Sequence, residues 1–285
     1  MPKSKATLLA ASSLAVLMGI ILTYKVVKAY TKFNAVKSLR FLSAPKIPRF
    51  EVKIISSYPH DKTAFTEGLE WHTGHLYEST GIKGKSTLKK VDLPTGKPLK
   101  TIRIDTPFFT EGLTIFRGKV YQLTWKSQRC LVYDADSLKK TGEFTYEGEG
   151  WGLTHDAEHL IMSDGSHRLR FIDPESFKTV RVLEVRMDGT IVGNLNELEF
   201  IEGMIYANVY ITNSIVRIDP SSGNVTGLID LTPLYEKMSP LSLSGINMPN
   251  GIAYDPETRA IYVTGKFWPK LFRVKIVPRG VSDGR

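Results

Sequence analysis

Cysteine is nearly absent from the 285-residue chain. The single residue, Cys130, has no partner for a disulfide within the chain, so a fold held together by disulfide bridges is excluded. Acidic residues are absent from residues 1–40, which hold seven Lys and Arg residues. Most of the net charge of +9 lies there, since the rest of the chain has 31 basic and 29 acidic residues. This near-balance argues against a basic groove for phosphates, and we expect no nucleic-acid partner.

Charge is also missing from the 19 residues 6–24, ATLLAASSLAVLMGIILTY. At about 1.5 Å per residue, such a helix would cross roughly 28 Å of hydrocarbon. A cleavable signal peptide has a shorter apolar region, about 7–15 residues, and a small-residue cleavage site that YKVVKAY does not offer. We therefore predict a transmembrane signal anchor at 6–24, between a short tail at 1–5 and a basic linker at 25–48. Cleavage of the anchor would instead make the protein secreted.

The side of the membrane on which the domain lies is not settled by the residues. More Lys and Arg residues follow the apolar run than precede it, which favours a cytosolic domain. The triplet Asn224-Val225-Thr226 is a candidate glycosylation site, which requires a lumenal domain and an exposed Asn224.

Beyond the anchor the chain repeats itself. Aligned on Leu69, Leu113, Leu153, Leu198 and Ile252, five segments recur at spacings of 44, 40, 45 and 54 residues: TEGLEWH, TEGLTIF, GWGLTHD, LNELEFI and PNGIAYD. This period is typical of a β-propeller. The longer last spacing is explained by an inserted loop with helical character, LTPLYEKMSPLS.

Each repeat continues with further strand-like runs. Apolar and polar residues alternate in them, and Asp-x-x-Ser/Thr or Pro-x-x-Gly turns end most of the third runs. The last repeat lacks a fourth strand, but RFEVKIISSYP at 49–59 precedes the first repeat and would complete the last sheet. We predict an all-β fold, a five-bladed β-propeller over 49–277, followed by a tail at 278–285. Glu67 and Glu111 would then take equivalent places near the central axis of adjacent blades.

Nine motifs occur in order between about Phe50 and Ile276: FTEGLEW, STGIKGKS, FTEGLTIF, GWGLTHD, SDGS, LNELEF, ANVY, PNGIAYD and TGKFWPKLF. Together they resemble the plant-type glutaminyl cyclases, a family also found in bacteria. The resemblance implies a five-bladed propeller that converts N-terminal glutamine of peptides and proteins to pyroglutamate and releases ammonia. It also favours a type II single-pass protein facing the lumen of the secretory pathway, such as the endoplasmic reticulum or Golgi.

The implied reaction needs a proton carrier. The α-amine attacks the side-chain amide carbon, one proton leaves the amine, and one reaches the departing ammonia; a single carboxylate can do both in turn. The resemblance assigns this catalytic role to Glu111, for which the alternative is an ion-paired or solvated turn residue. Negative charge that develops on the amide oxygen needs fixed donors, and Lys266 and Asn196 match the family's substrate-binding positions.

Aromatic residues complete the predicted substrate-binding set. Trp125 and Trp151 match the family's pocket tryptophans and Phe65 its phenylalanine, although core packing is the alternative for all three. Two predicted substrate-binding positions depart from the family: Glu67 replaces a glutamine found in many members, and Tyr210 replaces a tryptophan. A second carboxylate near Glu111 would raise the pKa of one of the pair.

Other motifs do not indicate a site. STGIKGKST lacks the first glycine of a phosphate loop, and HDAEH places His155 and His159 on a strand and turn rather than a helix. We therefore expect no metal and no cofactor. The expected partners are peptides or proteins with N-terminal glutamine and the membrane that holds the anchor, and we expect a monomer. Two alternative functions stay open: a non-catalytic propeller that binds peptide N-termini, and a lactonase-type hydrolase.

Overall fold

The computed structural model describes residues 47–104, 107–238 and 247–280. The predicted anchor at 6–24 lies outside these residues, as do the tail at 1–5 and nearly all of the linker at 25–48. The described residues contain no helix that could span a bilayer.

The described part of the chain is almost entirely β-structure. Three antiparallel four-stranded sheets follow one another along the chain. The first contains β2–β5 (Thr66–His72, His75–Thr80, Thr87–Asp92, Lys97–Arg103), the second β6–β9 (Thr110–Phe116, Lys119–Thr124, Arg129–Asp134, Lys140–Thr145) and the third β10–β13 (Leu153–His155, Leu160–Ser163, Arg168–Ile172, Thr179–Glu184). A small hairpin, β14–β15 (Arg186–Met187, Thr190–Ile191), follows the third sheet.

The remaining strands form one eight-stranded sheet made of two antiparallel halves. One half contains β16–β19 (Leu195–Ile201, Met204–Val209, Ser214–Ile218, Val225–Asp230), and the other contains β20–β22 and β1 (Pro249–Asp255, Ala260–Gly265, Lys270–Pro278, Arg49–Pro59). The prediction that residues 49–59 complete the last sheet is confirmed, because β1 pairs with β22 from Phe50↔Pro278 to Pro59↔Lys270. The halves join through a parallel pairing of β1 with β19, which the sequence did not predict.

The turns between the third and fourth strands form as their sequences predict. An aspartate carboxylate accepts a backbone N–H bond from a Ser or Thr in the turn, at 2.8 Å for Asp134 and Ser137. The same bond joins Asp92 to Thr95, Asp173 to Ser176, and Asp219 to Ser221. In the described part of the predicted insertion one turn of helix forms, α1 (Thr232–Tyr235), and residues 239–246 lie outside the described part.

The core lies between neighbouring sheets. One buried cluster combines Tyr77 and Leu88 of the first sheet with Leu113 and Val120 of the second. Similar clusters join the second and third sheets, the first sheet and the β20–β22 half, and the two halves of the eight-stranded sheet. Cys130 is buried in one of them as a free thiol.

The first strands of successive repeats, called the inner strands below, approach one another closely. β2 contacts β6, β6 contacts β10, β10 contacts β16, β16 contacts β20, and β20 contacts β2. The arrangement is an all-β fold consistent with a propeller. Glycine makes the approach possible: a Cβ on Gly68 would lie 2.6 Å from Leu113 N, and one on Gly112 would lie 2.6 Å from Leu153 N.

In four repeats this inner-strand position is glycine, at Gly68, Gly112, Gly152 and Gly251, and in the fourth repeat it is Glu197. The Glu197 carboxylate accepts backbone N–H bonds from Leu69 (3.2 Å) and Ile252 (2.9 Å), the residues after two of these glycines. The single long side chain in this row therefore ties three inner strands together.

We expect Gly112→Ala to destabilise the fold by about 3 kcal/mol, because the new methyl group would overlap backbone atoms that side-chain rotation cannot move. A Cβ there would lie 2.6 Å from both Leu153 N and Trp151 O. Gly142→Ala on exposed β9 is the matched control, since a Cβ there meets no atom within 4 Å, and its effect should stay within about 0.5 kcal/mol. Denaturant unfolding of both variants measures the difference; equal stabilities would show that the inner strands can separate without cost.

Candidate active site

The position just before the row of glycines supplies one polar or aromatic residue from every repeat. These residues are Glu67, Glu111, Trp151, Asn196 and Asn250. The adjacent glycine positions bring the inner strands together. The backbone atoms that carry these five side chains are therefore close to one another. The prediction from the sequence included the first four and missed Asn250. The repeat alignment itself holds the signal for Asn250, which stands two residues before Ile252 as Glu111 stands two before Leu113.

A second set of side chains comes from the residue that directly follows the second strand of a repeat. Trp125 donates its backbone N–H to Phe109 O (2.8 Å), Tyr210 to Asn194 O (2.8 Å), and Lys266 to Met248 O (3.0 Å). Gly81 makes the equivalent bond to Phe65 O at 2.8 Å. The shared hydrogen bond shows that these positions are equivalent, and it fixes the three side chains at the same end of the inner strands.

Glu67 lies at the centre of a buried polar network. Its carboxylate accepts hydrogen bonds from Lys266 Nζ (2.7 Å) and Asn250 Nδ2 (2.9 Å), and it shares a hydrogen bond with the carboxyl of Glu111. Glu67 and Lys266 are 2% and 4% exposed, so neither charge is solvated by bulk water. The two residues therefore form an internal salt bridge. Removing either one would leave an uncompensated buried charge, which is strongly destabilising.

The two carboxyl groups perturb each other. Burial raises the pKa of Glu111 well above its usual value, and the neighbouring carboxylate of Glu67 raises it further. Burial also raises the pKa of Glu67, although the Lys266 ammonium and the Asn250 amide oppose the shift. Because one cation faces two buried carboxyl groups, the pair retains a proton more readily than two separate glutamates would, and Glu111 is the group more strongly driven to hold it.

Three buried amide atoms near these positions have no hydrogen-bond partner among the described residues: Asn196 Oδ1, Asn250 Oδ1 and Asn208 Nδ2. Asn250 Nδ2 is held by Glu67 and Thr66 O, and Asn208 Oδ1 accepts from Gly251 N, so the orientations of both amides are set. Buried polar atoms are normally paired. The site therefore offers two acceptors and one donor to a bound molecule.

Aromatic side chains surround the network at its open end. Phe65 contacts Phe109 at 5.8 Å between ring centroids, and Phe109 contacts Trp125 at 5.7 Å. On the other side Trp151 meets Tyr210 edge to face at 5.4 Å. Lys266 Nζ lies 5.6 Å from the Tyr210 ring and 4.3 Å from the Phe65 ring, which closes this side of the rim.

Glu149 lies in the rim between Trp125 and Trp151. Like Asn250, it was not predicted from the sequence as a site residue. Its Oε2 accepts a hydrogen bond from Trp125 Nε1 (2.7 Å) and one from Trp151 Nε1 (3.0 Å). Glu149 stands two residues before Trp151, as Phe65 and Phe109 stand two before Glu67 and Glu111. The repeat alignment marks the position, but nothing in the sequence indicates the indole partners.

All eight residues predicted for catalysis or substrate binding thus lie in this end of the fold. Asn224 does not; it is exposed in the turn between β18 and β19. Deeper along the inner strands lie further buried glutamates, and burial raises the pKa of Glu70 to about 6. In the described residues no group of three or more His, Cys, Asp or Glu side chains is arranged to hold a metal ion.

Comparisons with known proteins agree with the fold. The model of the glutamine cyclotransferase family matches residues 23–276. Glutaminyl-peptide cyclotransferase from Arabidopsis thaliana is 38% identical over 236 residues, which cover 82% of this chain and 74% of the plant protein. The crystal structure of Myxococcus xanthus glutaminyl cyclase has 36% sequence identity and a TM-score of 0.78, with 82% of this chain and 99% of that chain covered. The chain belongs to the glutamine cyclotransferase family.

Proposed function

We propose that this chain is a glutaminyl-peptide cyclotransferase, which converts the N-terminal glutamine of peptides and proteins to pyroglutamate and releases ammonia. The observation that carries the proposal is the buried Glu111 carboxyl, held against Glu67 and Lys266 inside an aromatic rim. Membership of the glutamine cyclotransferase family gives independent support.

Glu111 is the catalytic residue in this proposal. The neutral α-amine attacks the amide carbon, a C–N bond forms, and the original C–N bond to the leaving group breaks. The amine nitrogen loses one proton and the departing nitrogen gains one. A raised pKa brings Glu111 closer to the pKa of an N-terminal ammonium, about 7.7–8.0, so that a proton passes between the two groups at little energetic cost.

The other polar residues bind the substrate's head group. Lys266 carries positive charge for the amide oxygen, whose negative charge grows as the lactam closes. Asn196, predicted from the sequence as a donor, has an unpartnered oxygen in the site and is better suited to accept from the substrate's N–H groups. Asn250 offers a second unpartnered oxygen beside Glu67.

The aromatic rim holds the aliphatic part of the glutamine. Phe65, Trp125, Trp151 and Tyr210 are each half-buried, so each keeps a face available at the open end. A walled pocket limits the rotamers of a bound glutamine, and fewer rotamers mean a smaller entropic barrier to ring closure.

We also propose that the sheets are the blades of a five-bladed propeller. The support is the cycle of contacts among β2, β6, β10, β16 and β20 and the completion of the last blade by β1. The site residues then lie where the central channel opens. We also propose a monomeric enzyme, in which one chain supplies every residue of the site.

We propose that in the cell this chain is a type II membrane protein. Residues 6–24 would anchor it, and the catalytic domain would lie in the lumen of the secretory pathway. The uncharged run at 6–24 and the exposed side chain of Asn224 support this, whereas the basic residues after the run favour the opposite orientation. In sealed microsomes we expect the domain to resist added protease and Asn224→Gln to abolish a glycan-dependent mobility shift. Digestion of the domain in intact microsomes would place it in the cytosol.

Replacing Glu111 by Gln keeps the side-chain shape but removes the group that exchanges the proton. We expect kcat to fall by about 10²–10⁴-fold, measured as ammonia release and as the loss of one ammonia from the mass of a Gln-initiated peptide. Glu143→Gln is the matched control, because Glu143 is exposed on β9 and pairs, among the described residues, with Arg129 and Lys140; this variant should retain activity. Full activity of E111Q would refute the catalytic role, and wild type that binds the peptide without turnover would favour the non-catalytic alternative.

Replacing Glu67 by Gln should move the acidic limb of the kcat/KM profile to lower pH. The substitution removes the negative charge that raises the pKa of Glu111, while the ammonium of Lys266, which lowers it, stays in place. Glu149 also raises the pKa of Glu111 and is unchanged in this variant. The substrate's amine must also lose a proton before it attacks, but its pKa is the same for both enzymes and does not contribute to the difference between their profiles. A profile whose acidic limb is unchanged, or lies at higher pH, would mean that the two carboxyl groups do not titrate together.

A further inference from the structure

Two tryptophans of the rim depend on one carboxylate oxygen for their polar contact. Trp125 directly follows the second strand of the second sheet, and Trp151 precedes the first strand of the third sheet, so they are positioned by separate sheets. Their indole N–H groups nevertheless converge on Glu149 Oε2, at 2.7 and 3.0 Å. A half-buried indole needs an acceptor for its N–H, and a single shared acceptor couples the orientations of both rings.

Glu149 is itself held from two further directions. Its other carboxylate oxygen lies 3.3 Å from Lys126 Nζ, and that ammonium also sits over the Trp125 ring, 4.2 Å from its centroid. The Glu149 carbonyl accepts a hydrogen bond from Arg170 Nη2 at 2.9 Å. Arg170 also donates to Glu147 O at 2.8 Å, so the guanidinium fixes the backbone on both sides of Gly148.

The Glu149 side chain is ionised in this setting. Partial burial opposes its charge, but hydrogen bonds from Trp151, Trp125 and Lys126 outweigh this effect and lower the pKa of the carboxyl. An ionised acceptor makes stronger hydrogen bonds than a neutral one, and two of the bonds to this carboxylate come from indole groups.

We propose that Glu149 is a positioning residue that locks Trp125 and Trp151 into one preformed aromatic wall before substrate arrives. This inference rests on the proposed function, in which the two indoles contact the glutamine side chain. Without the shared acceptor each indole is free to rotate, and binding must restrict both rings at an entropic cost. The loss therefore falls mainly on KM, with a smaller effect on kcat.

The first test observes the indole rings of Trp125 and Trp151 directly and does not require that the protein be enzymatically active. The chain has four tryptophans, so ¹H–¹⁵N spectra show four indole N–H resonances, and Trp125→Phe and Trp151→Phe assign the two of interest. In Glu149→Ala we expect both of these to shift or broaden, while those of Trp71 and Trp268 stay in place. Glu147→Ala, an exposed carboxylate two residues earlier, is the matched control and should leave all four unchanged. Unmoved Trp125 and Trp151 resonances in E149A would overturn the proposal.

The second test uses a Gln-initiated peptide. We expect E149A to raise KM by about tenfold or more, the size expected for losing charge-assisted hydrogen bonds, and to lower kcat less. Glu149→Gln keeps an oxygen acceptor and should fall between wild type and E149A; an equal loss in both variants would show that charge, not ring positioning, matters. In a Trp125→Phe/Trp151→Phe background, E149A should add little, and a full further loss there would also overturn the proposal. If E149A does not fold, the indole resonances of E149Q replace it as the test, and unmoved Trp125 and Trp151 resonances in E149Q would overturn the proposal.

The two tests separate this inference from the function. If wild type does not cyclise the peptide, the proposed function fails, but the indole resonances still report whether Glu149 holds the rings. If wild type is active and the resonances do not respond to E149A, only the positioning role fails.

Discussion

The close approach of the inner strands is the constraint on which the rest of the molecule depends. Gly68 and Gly112 lie where any Cβ would overlap the backbone of the next inner strand. The residues before these glycines carry the polar side chains of the site, so the separation of Glu67 from Glu111 follows from the absence of a methyl group one residue later. The close packing of the inner strands therefore also determines how far apart the two carboxyl groups of the site lie.

The second organising feature is the imbalance between buried charges. Two carboxyl groups face one ammonium, and burial makes the doubly ionised state unfavourable. The imbalance is eased when one of the two carboxyl groups is protonated, and the pKa of Glu111 is the one raised more strongly. In the proposed reaction Glu111 accepts a proton from an amine and returns it to ammonia, and a raised pKa brings it closer to the pKa values of those groups.

Most of the strand order could be predicted from the sequence, because it depends on alternating residues, on turn chemistry and on a repeat that recurs four times. Residues 49–59 were recognisable because one repeat lacked a strand. Asn250 was missed because Asn followed by Gly indicates a turn more readily than a site, and Glu149 because a glutamate among glycines resembles a loop residue. Asn250 binds Glu67 of the first sheet, and Glu149 binds Trp125, which is 24 residues away. The parallel pairing of β1 with β19 likewise joins distant segments, so no local pattern reports these contacts.

The double pairing of β1 also determines when the fold can be completed. The three four-stranded sheets are built from hairpins between consecutive segments, and such local contacts form early. β1 precedes all of them, yet it pairs with β19 and with β22, where Phe50 faces Pro278. During synthesis this strand leaves the ribosome before every other strand described here and waits for its partners almost to the end of the chain, with its backbone hydrogen-bonding groups unpaired in the meantime. The first of these strands to be made is thus the last to find its partners.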